Sequence, residues 1–152
     1  MVPHDVYNEP LVSRYTSREM QYLFSEEKKF TTWRRCWIAL AEAQHELGLT
    51  DLVSQQMIDE MKTNQNNIDY ELARAKEKEI RHDVMAHVFE FGSKCPTAEP
   101  IIHLGATSQF VVCNTDLIIQ KEAFELVRNG LINAIAQLAD FCFAYKALPT
   151  LG

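Results

Sequence analysis

Phe124-Glu125-Leu126-Val127-Arg128-Asn129-Gly130-Leu131-Ile132-Asn133-Ala134-Ile135-Ala136-Gln137-Leu138-Ala139-Asp140-Phe141-Cys142-Phe143-Ala144-Tyr145 decides the fold class. Phe124, Val127, Leu131, Ala134, Leu138, Phe141 and Tyr145 recur at steps of three and four, the spacing of one helical face. Ile132, Ile135, Ala139 and Cys142 form a second seam beside it. An apolar face this wide suits an inner helix of a bundle better than a surface helix. The spacing predicts one helix from Thr115 to about Lys146, a rod of roughly 48 Å at ~1.5 Å per residue. That is longer than a compact domain of this size needs. The expectation is a mainly α chain, truncated, whose last helix lacks the partners that would cover it.

Working outward, the residues just before this helix hold the strongest chemical signal. The stretch from Ile101 to Asp116 begins as an apolar run that ends in Gly105, and Thr107 and Ser108 follow. Small residues and hydroxyls ahead of a helix suit a carboxylate or phosphate, because free N–H groups and the helix dipole both favour an anion there. The alternative is that the two hydroxyls only cap the next turn. His103 is open between packing and lining a site.

The rest of the chain reads as shorter helices. Met1 to Val12, with Pro3 and Pro10, has no period and is expected to be an irregular arm ending in Ser13-Arg14-Tyr15. Arg14 offers a planar fork for an anion and Tyr15 a hydroxyl, although an isolated Arg-Tyr pair is usually solvated. Ser17 caps a short turn to about Phe24. Ser25 caps a longer helix carrying Phe30, Trp33, Trp37, Leu40, Gln44 and Leu47 on its apolar face, stopped by Gly48. Arg35, Glu42 and Glu46 read as its solvated face. Ser54 opens a helix with Ile58 and Met61, and Asn64 to Asn67 form a loop. Asp69 caps a charged, solvated helix on which Glu77 and Arg81 are placed to pair four residues apart.

Arg81-His82-Asp83 ends that run, with Asp83 able to cap the following helix. His82 and His87 lie five apart and diverge by about 140° on a helix, so they do not make a zinc pair. No metal is expected, and His87 is read as structural.

Composition bounds the function. Hydrophobic residues make up 47% of the 152 and charged residues 24%, which is a globular balance. A formal net charge of −6 argues against nucleic acid or an anionic membrane as the main partner, without preventing a local cationic pocket. No apolar run approaches the ~20 residues of a membrane span. The opening Met1 to Tyr7 lacks a basic segment and an apolar core, so no signal peptide is expected. Cys36, Cys95, Cys113 and Cys142 are widely spread and read as reduced thiols, which points to the cytoplasm.

Taken in order, Ser13-Arg14-Tyr15, Arg81-His82-Asp83-Val84-Met85-Ala86-His87, His103-Leu104-Gly105-Ala106-Thr107-Ser108 and Thr150-Leu151-Gly152 resemble the N-terminal portion of the adenylosuccinate lyase family, within the fumarase/aspartase superfamily. The resemblance runs from about Leu11 to Gly152. It implies an N-terminal helical domain over 1–105 and the start of a central helical-bundle domain over 106–152. It implies a homotetramer in the full-length protein and no cofactor.

The reaction it implies is β-elimination. Fumarate leaves adenylosuccinate to give AMP, and leaves the succinylated aminoimidazole carboxamide nucleotide of purine synthesis. Such a site needs anion donors and a separate acid and base. By resemblance, Arg14, Tyr15, Arg81, His82, Asp83, Thr107 and Ser108 bind substrate, with Thr107 and Ser108 on the succinyl part and His82 as hydrogen-bond partner and assistant in proton transfer. The general-acid histidine and the serine base of the family would fall beyond Gly152, so the 152 residues alone are expected to be inactive. Phe89 and Cys113 depart from the family pattern, where a histidine and an acidic residue are common.

Two other readings stand beside this one. A short, non-catalytic helical module would use its uncovered last helix to associate with full-length lyase subunits. A lyase of the same superfamily would act on argininosuccinate or malate, against which Arg14-Tyr15 and Arg81-His82-Asp83 favour the nucleotide.

Overall fold

A computed structural model describes residues 9 to 151, and among them the regular structure is entirely helical. Seven α-helices run in order: α1 Pro10–Tyr15, α2 Arg18–Leu23, α3 Glu26–Glu46, α4 Gln55–Thr63, α5 Tyr70–Ile80, α6 Asp83–Lys94 and α7 Ser108–Tyr145. A single 3₁₀ turn, Glu99–Ile101, precedes α7. The mainly α expectation holds.

Four of the helix starts are set by short polar side chains. Ser17, Ser25, Ser54 and Asp69 each accept a hydrogen bond from a backbone N–H three residues on, opening α2, α3, α4 and α5. Gly48 closes α3 with φ +92, a conformation that costs a side chain.

Three boundaries differ from the sequence reading. The part of the expected irregular arm before Glu9 lies outside the described residues, and the part after it is helical. There Glu9 accepts from Leu11 N at 2.9 Å, and Pro10 takes the first helical position, where its missing N–H costs nothing. The long helix begins at Ser108 rather than Thr115. The helix α6 is capped by His82, not Asp83: His82 Nδ1 accepts from Met85 N at 3.2 Å, and Asp83 Oδ1 accepts from Val84 N at 2.7 Å inside the first turn.

The core lies where α3 meets α4, α6 and the root of α7. Trp33 and Trp37 are fully buried there, with Val53, Ile58, Met61, Val84, Phe91, Cys95, Ala98 and Val111 around them. Burying an aromatic of this size contributes about 2–3 kcal/mol. Leu47, expected on the apolar face of α3, is instead 84% exposed, because the chain turns away at that point.

A buried ion pair was not visible in the sequence. Arg34 on α3 meets Glu90 on α6 inside the core, and it also donates to the carbonyls of Asn64 and Asn67. The other oxygen of Glu90 accepts from Asp69 N at 2.8 Å. The pair therefore pins the loop between α4 and α5.

Among the described residues the ion pairs within α5 are Arg74 with Glu71 and Lys76 with Glu79, and Arg74 also reaches Glu26 on α3; the expected pair of Glu77 with Arg81 is not formed. Arg81 has left helical geometry, with φ 55 and ψ 42, and although it lines a groove with Glu77 the two form no ion pair.

The helix α7 is anchored at its beginning only. Val111, Thr115 and Ile119 are buried, and Lys28 on α3 reaches Glu122 at 2.6 Å. Every residue from Val127 to Tyr145 is exposed. No helix among the described residues is long and apolar enough to cross a membrane.

Candidate functional site

The loop between α6 and α7 carries the hydroxyls, and the core sets its path. Ala98 N donates to Glu60 Oε2 at 2.9 Å, Ile101 and Ile102 are buried, and Gln44 on α3 donates to Leu104 O at 2.9 Å. Gly105 then takes φ +72, which turns the chain into α7. Thr107 is the N-cap by its extended backbone (φ −94, ψ 161), yet its side chain makes no cap hydrogen bond. Thr107 is exposed, and Ser108 is the first residue of the helix.

Across from this loop, α5 ends and α6 begins at Arg81-His82-Asp83. His82 Nε2 lies 3.2 Å from Ser108 Oγ. Two residues 26 positions apart are thereby joined at the starts of two helices, where the helix dipole favours an anion. Arg81, the residue before His82, holds left-handed geometry and lines a groove with Arg74, Glu77 and Lys78 of α5, and among the described residues no carboxylate lies within ion-pair distance of it. The Asp83 carboxylate is 3.9 Å from His82 Nδ1.

His103 joins this neighbourhood. It holds a left-handed backbone conformation, φ 68, which is uncommon for a residue with a side chain. Its Nδ1 accepts from the indole N–H of buried Trp37 at 2.9 Å, and the two rings meet edge to face. Burial, and after it the proximity of His82, hold the His103 imidazole below its ordinary pKa. The sequence left His103 between packing and lining a site, and the structure shows it packed and hydrogen-bonded against Trp37. The signal that would have found it is the small-residue turn after it, Gly105-Ala106, combined with a tryptophan on the helix opposite.

The remaining expected residues are placed as follows. Arg14 and Tyr15 lie on α1, exposed, and make no hydrogen bond or ion pair with the His82–Ser108 pair. The helix α1 is tied back instead through Gln21, which donates to Val12 O at 3.2 Å. His87 is buried, stacked on Phe30 at 3.8 Å and edge-on to Trp33. Burial, then Arg34 and Lys29, push its pKa down to about 4, so it is neutral near pH 7. Phe89 is partly exposed under Lys76 Nζ at 4.7 Å from its ring centre. The Cys113 thiol faces Gln109 at 3.3 Å, one turn into α7, and leaves the Ser108 hydroxyl untouched.

No protein-family model matches the chain. Along its whole length it is 48% identical to adenylosuccinate lyase of Saccharomyces cerevisiae and 43% identical to adenylosuccinate lyase of Schizosaccharomyces pombe. Over 96% of its length it is 46% identical to adenylosuccinate lyase of Schistosoma mansoni. The matched region is the N-terminal portion of those enzymes, and the chain spans about a third, 30–32%, of their length.

Proposed function

We propose, from its relation over the whole chain to the N-terminal portion of adenylosuccinate lyases, that these residues supply the substrate-binding part of such an enzyme. The observation that carries the reading is the pairing of His82 with Ser108 at the starts of two helices. This is a place for a carboxylate. In β-elimination the proton next to a carboxylate leaves, negative charge spreads into that carboxylate, and the departing nitrogen is protonated. Donors fixed in advance around the charge lower the barrier without reorganising.

In this reading Thr107 and Ser108 hold the succinyl part, and Arg81, His82 and Asp83 line the same pocket. Arg14 and Tyr15 contact the nucleotide from α1. The substrates are adenylosuccinate and the succinylated aminoimidazole carboxamide nucleotide, and the enzyme is cytoplasmic. The general acid and base belong to other parts of the full-length lyase, so these 152 residues release no fumarate by themselves. Residues 1–105 belong to an N-terminal helical domain and 106–152 to a central bundle. The exposed apolar side chains from Phe124 to Tyr145 favour burial of α7 in that bundle in a homotetramer.

A chimera tests the reading. This chain replaces the matched region of the Saccharomyces cerevisiae enzyme, and cleavage of adenylosuccinate to AMP and fumarate is followed. The expected result is a working chimera that loses activity on Ser108→Ala. A folded, assembled chimera with no fumarate release would sink the assignment, and so would fumarate release by the 152-residue chain alone. The uncovered face of α7 also favours the second reading, a non-catalytic module. Co-elution of the chain with intact lyase subunits, with changed activity, would support it.

A further inference from the structure

The two histidines near Ser108 are each held by a hydrogen bond at Nδ1. Met85 N–H donates to His82 Nδ1 at 3.2 Å, and the Trp37 indole N–H donates to His103 Nδ1 at 2.9 Å. Both donors have their hydrogen in a fixed place, so both Nδ1 atoms must offer a lone pair. A neutral imidazole that accepts at one nitrogen carries its proton on the other. His82 Nε2–H then donates to Ser108 Oγ at 3.2 Å, which leaves the serine's own proton free for a ligand.

We propose that Trp37 is a positioning residue: its indole N–H fixes His103 in the Nε2–H tautomer, next to a His82 whose own Nε2–H faces Ser108. The left-handed backbone of His103 and the edge-to-face contact with Trp37 (6.0 Å between centres, 87° between planes) set the ring orientation that this bond requires. Burial, and after it His82, hold His103 below its ordinary pKa, which is consistent with the lone pair that the Trp37 bond requires at Nδ1. Trp37 is 1% exposed and reaches no ligand itself, so it acts only through His103. That these donors serve an anionic substrate rests on the proposed function; the tautomers do not.

The test is long-range proton–nitrogen correlation spectroscopy on the chain with labelled histidine at neutral pH. Both His82 and His103 are expected to show a protonated Nε2 and a bare Nδ1. In Trp37→Phe, which keeps an aromatic ring and removes the N–H, His103 is expected to lose its single pattern as the Nδ1–H form appears, while His82 is unchanged. A His103 protonated at Nδ1 in the parent chain overturns the proposal, as does an unaltered His103 pattern in a folded Trp37→Phe variant. If that variant does not fold, the parent chain decides through the scalar coupling across the hydrogen bond from Trp37 Nε1 to His103 Nδ1: its presence supports the proposal and its absence overturns it. Correct tautomers in a chimera that fails to cleave adenylosuccinate would count against the function alone. Wrong tautomers in an active chimera would count against Trp37 alone.

Discussion

Arg34 and Glu90 form a charged pair with almost no solvent exposure, 2% and 0% of their side chains, between the third and sixth helices. Removing one partner leaves the other charge buried, at a cost of about 3–5 kcal/mol. Arg34→Met is therefore expected to lower stability by that amount in chemical unfolding followed by far-ultraviolet circular dichroism. The double variant Arg34→Met with Glu90→Met recovers part of the loss and stays below the parent chain, because the Asn64 and Asn67 carbonyls and the Asp69 N–H lose their partners. A double variant as stable as the parent would mean that those loop hydrogen bonds contribute nothing.

His82 does two things that substitution separates. As N-cap of α6 its loss in His82→Ala costs ~1 kcal/mol. His82→Asn restores a capping oxygen but not the reach to Ser108. Its expected stability is close to that of the parent, while activity in the chimera falls about tenfold or more, the equivalent of ~1.4 kcal/mol in the barrier. Equal losses of stability and activity in both variants would reduce His82 to a cap.

Acid should weaken the fold through His87. Its pKa is lowered from 6.5 to about 4, first by burial and then by Arg34 and Lys29. Folding thus favours the neutral ring. This contribution is complete above the unfolded value and is lost as pH falls from 6.5 through 4, on the order of 3 kcal/mol in all. Thermal melts across that window should show a falling midpoint in the parent and a flatter profile in His87→Gln. An equal slope in both would remove His87 as the cause.

Gly92 and Gly130 should respond oppositely to alanine. A Cβ on Gly92 would stand 2.9 Å from Glu99 Cγ, at the turn that leads into the His103–Ser108 loop. The overlap costs ~1–3 kcal/mol, more than the gain of up to ~1 kcal/mol in helix propensity, so Gly92→Ala is expected to destabilise. Nothing lies within 4 Å of the same position on Gly130, and Gly130→Ala is expected to stabilise by ~0.5–1 kcal/mol. Melting midpoints of the two variants check the signs.

Local signals were the legible ones. Ser17, Ser25, Ser54 and Asp69 announce helix starts because a cap needs only one side chain and the next three residues. The first helix was hidden because a proline reads as a breaker and glutamate is an uncommon cap. The start of the last helix was placed seven residues late because Thr107 caps by backbone alone. Arg34 sits on the same helix as two core tryptophans, but its partners come from residues 30 and more positions away, and no periodicity reports them. The same holds for the 26-residue separation of His82 and Ser108, which the family resemblance grouped and the helix pattern did not. Trp37 was read as core, correctly; its hydrogen bond to His103 is a tertiary fact.

The last helix is about 57 Å long for its 38 residues, and its buried residues all fall within its first twelve. Beyond Leu126 its order depends on intrinsic propensity and on its continuity with that rooted segment, since no tertiary packing covers it. Amide exchange should therefore be slowest near Val111 and quicken steadily toward Tyr145. Ser108 adjoins that slow segment, though its own N–H, at the helix start, has no intrahelical acceptor. The hydroxyl that faces His82 is consequently carried on the stillest part of the rod, and whatever motion the far end makes is damped before it arrives there.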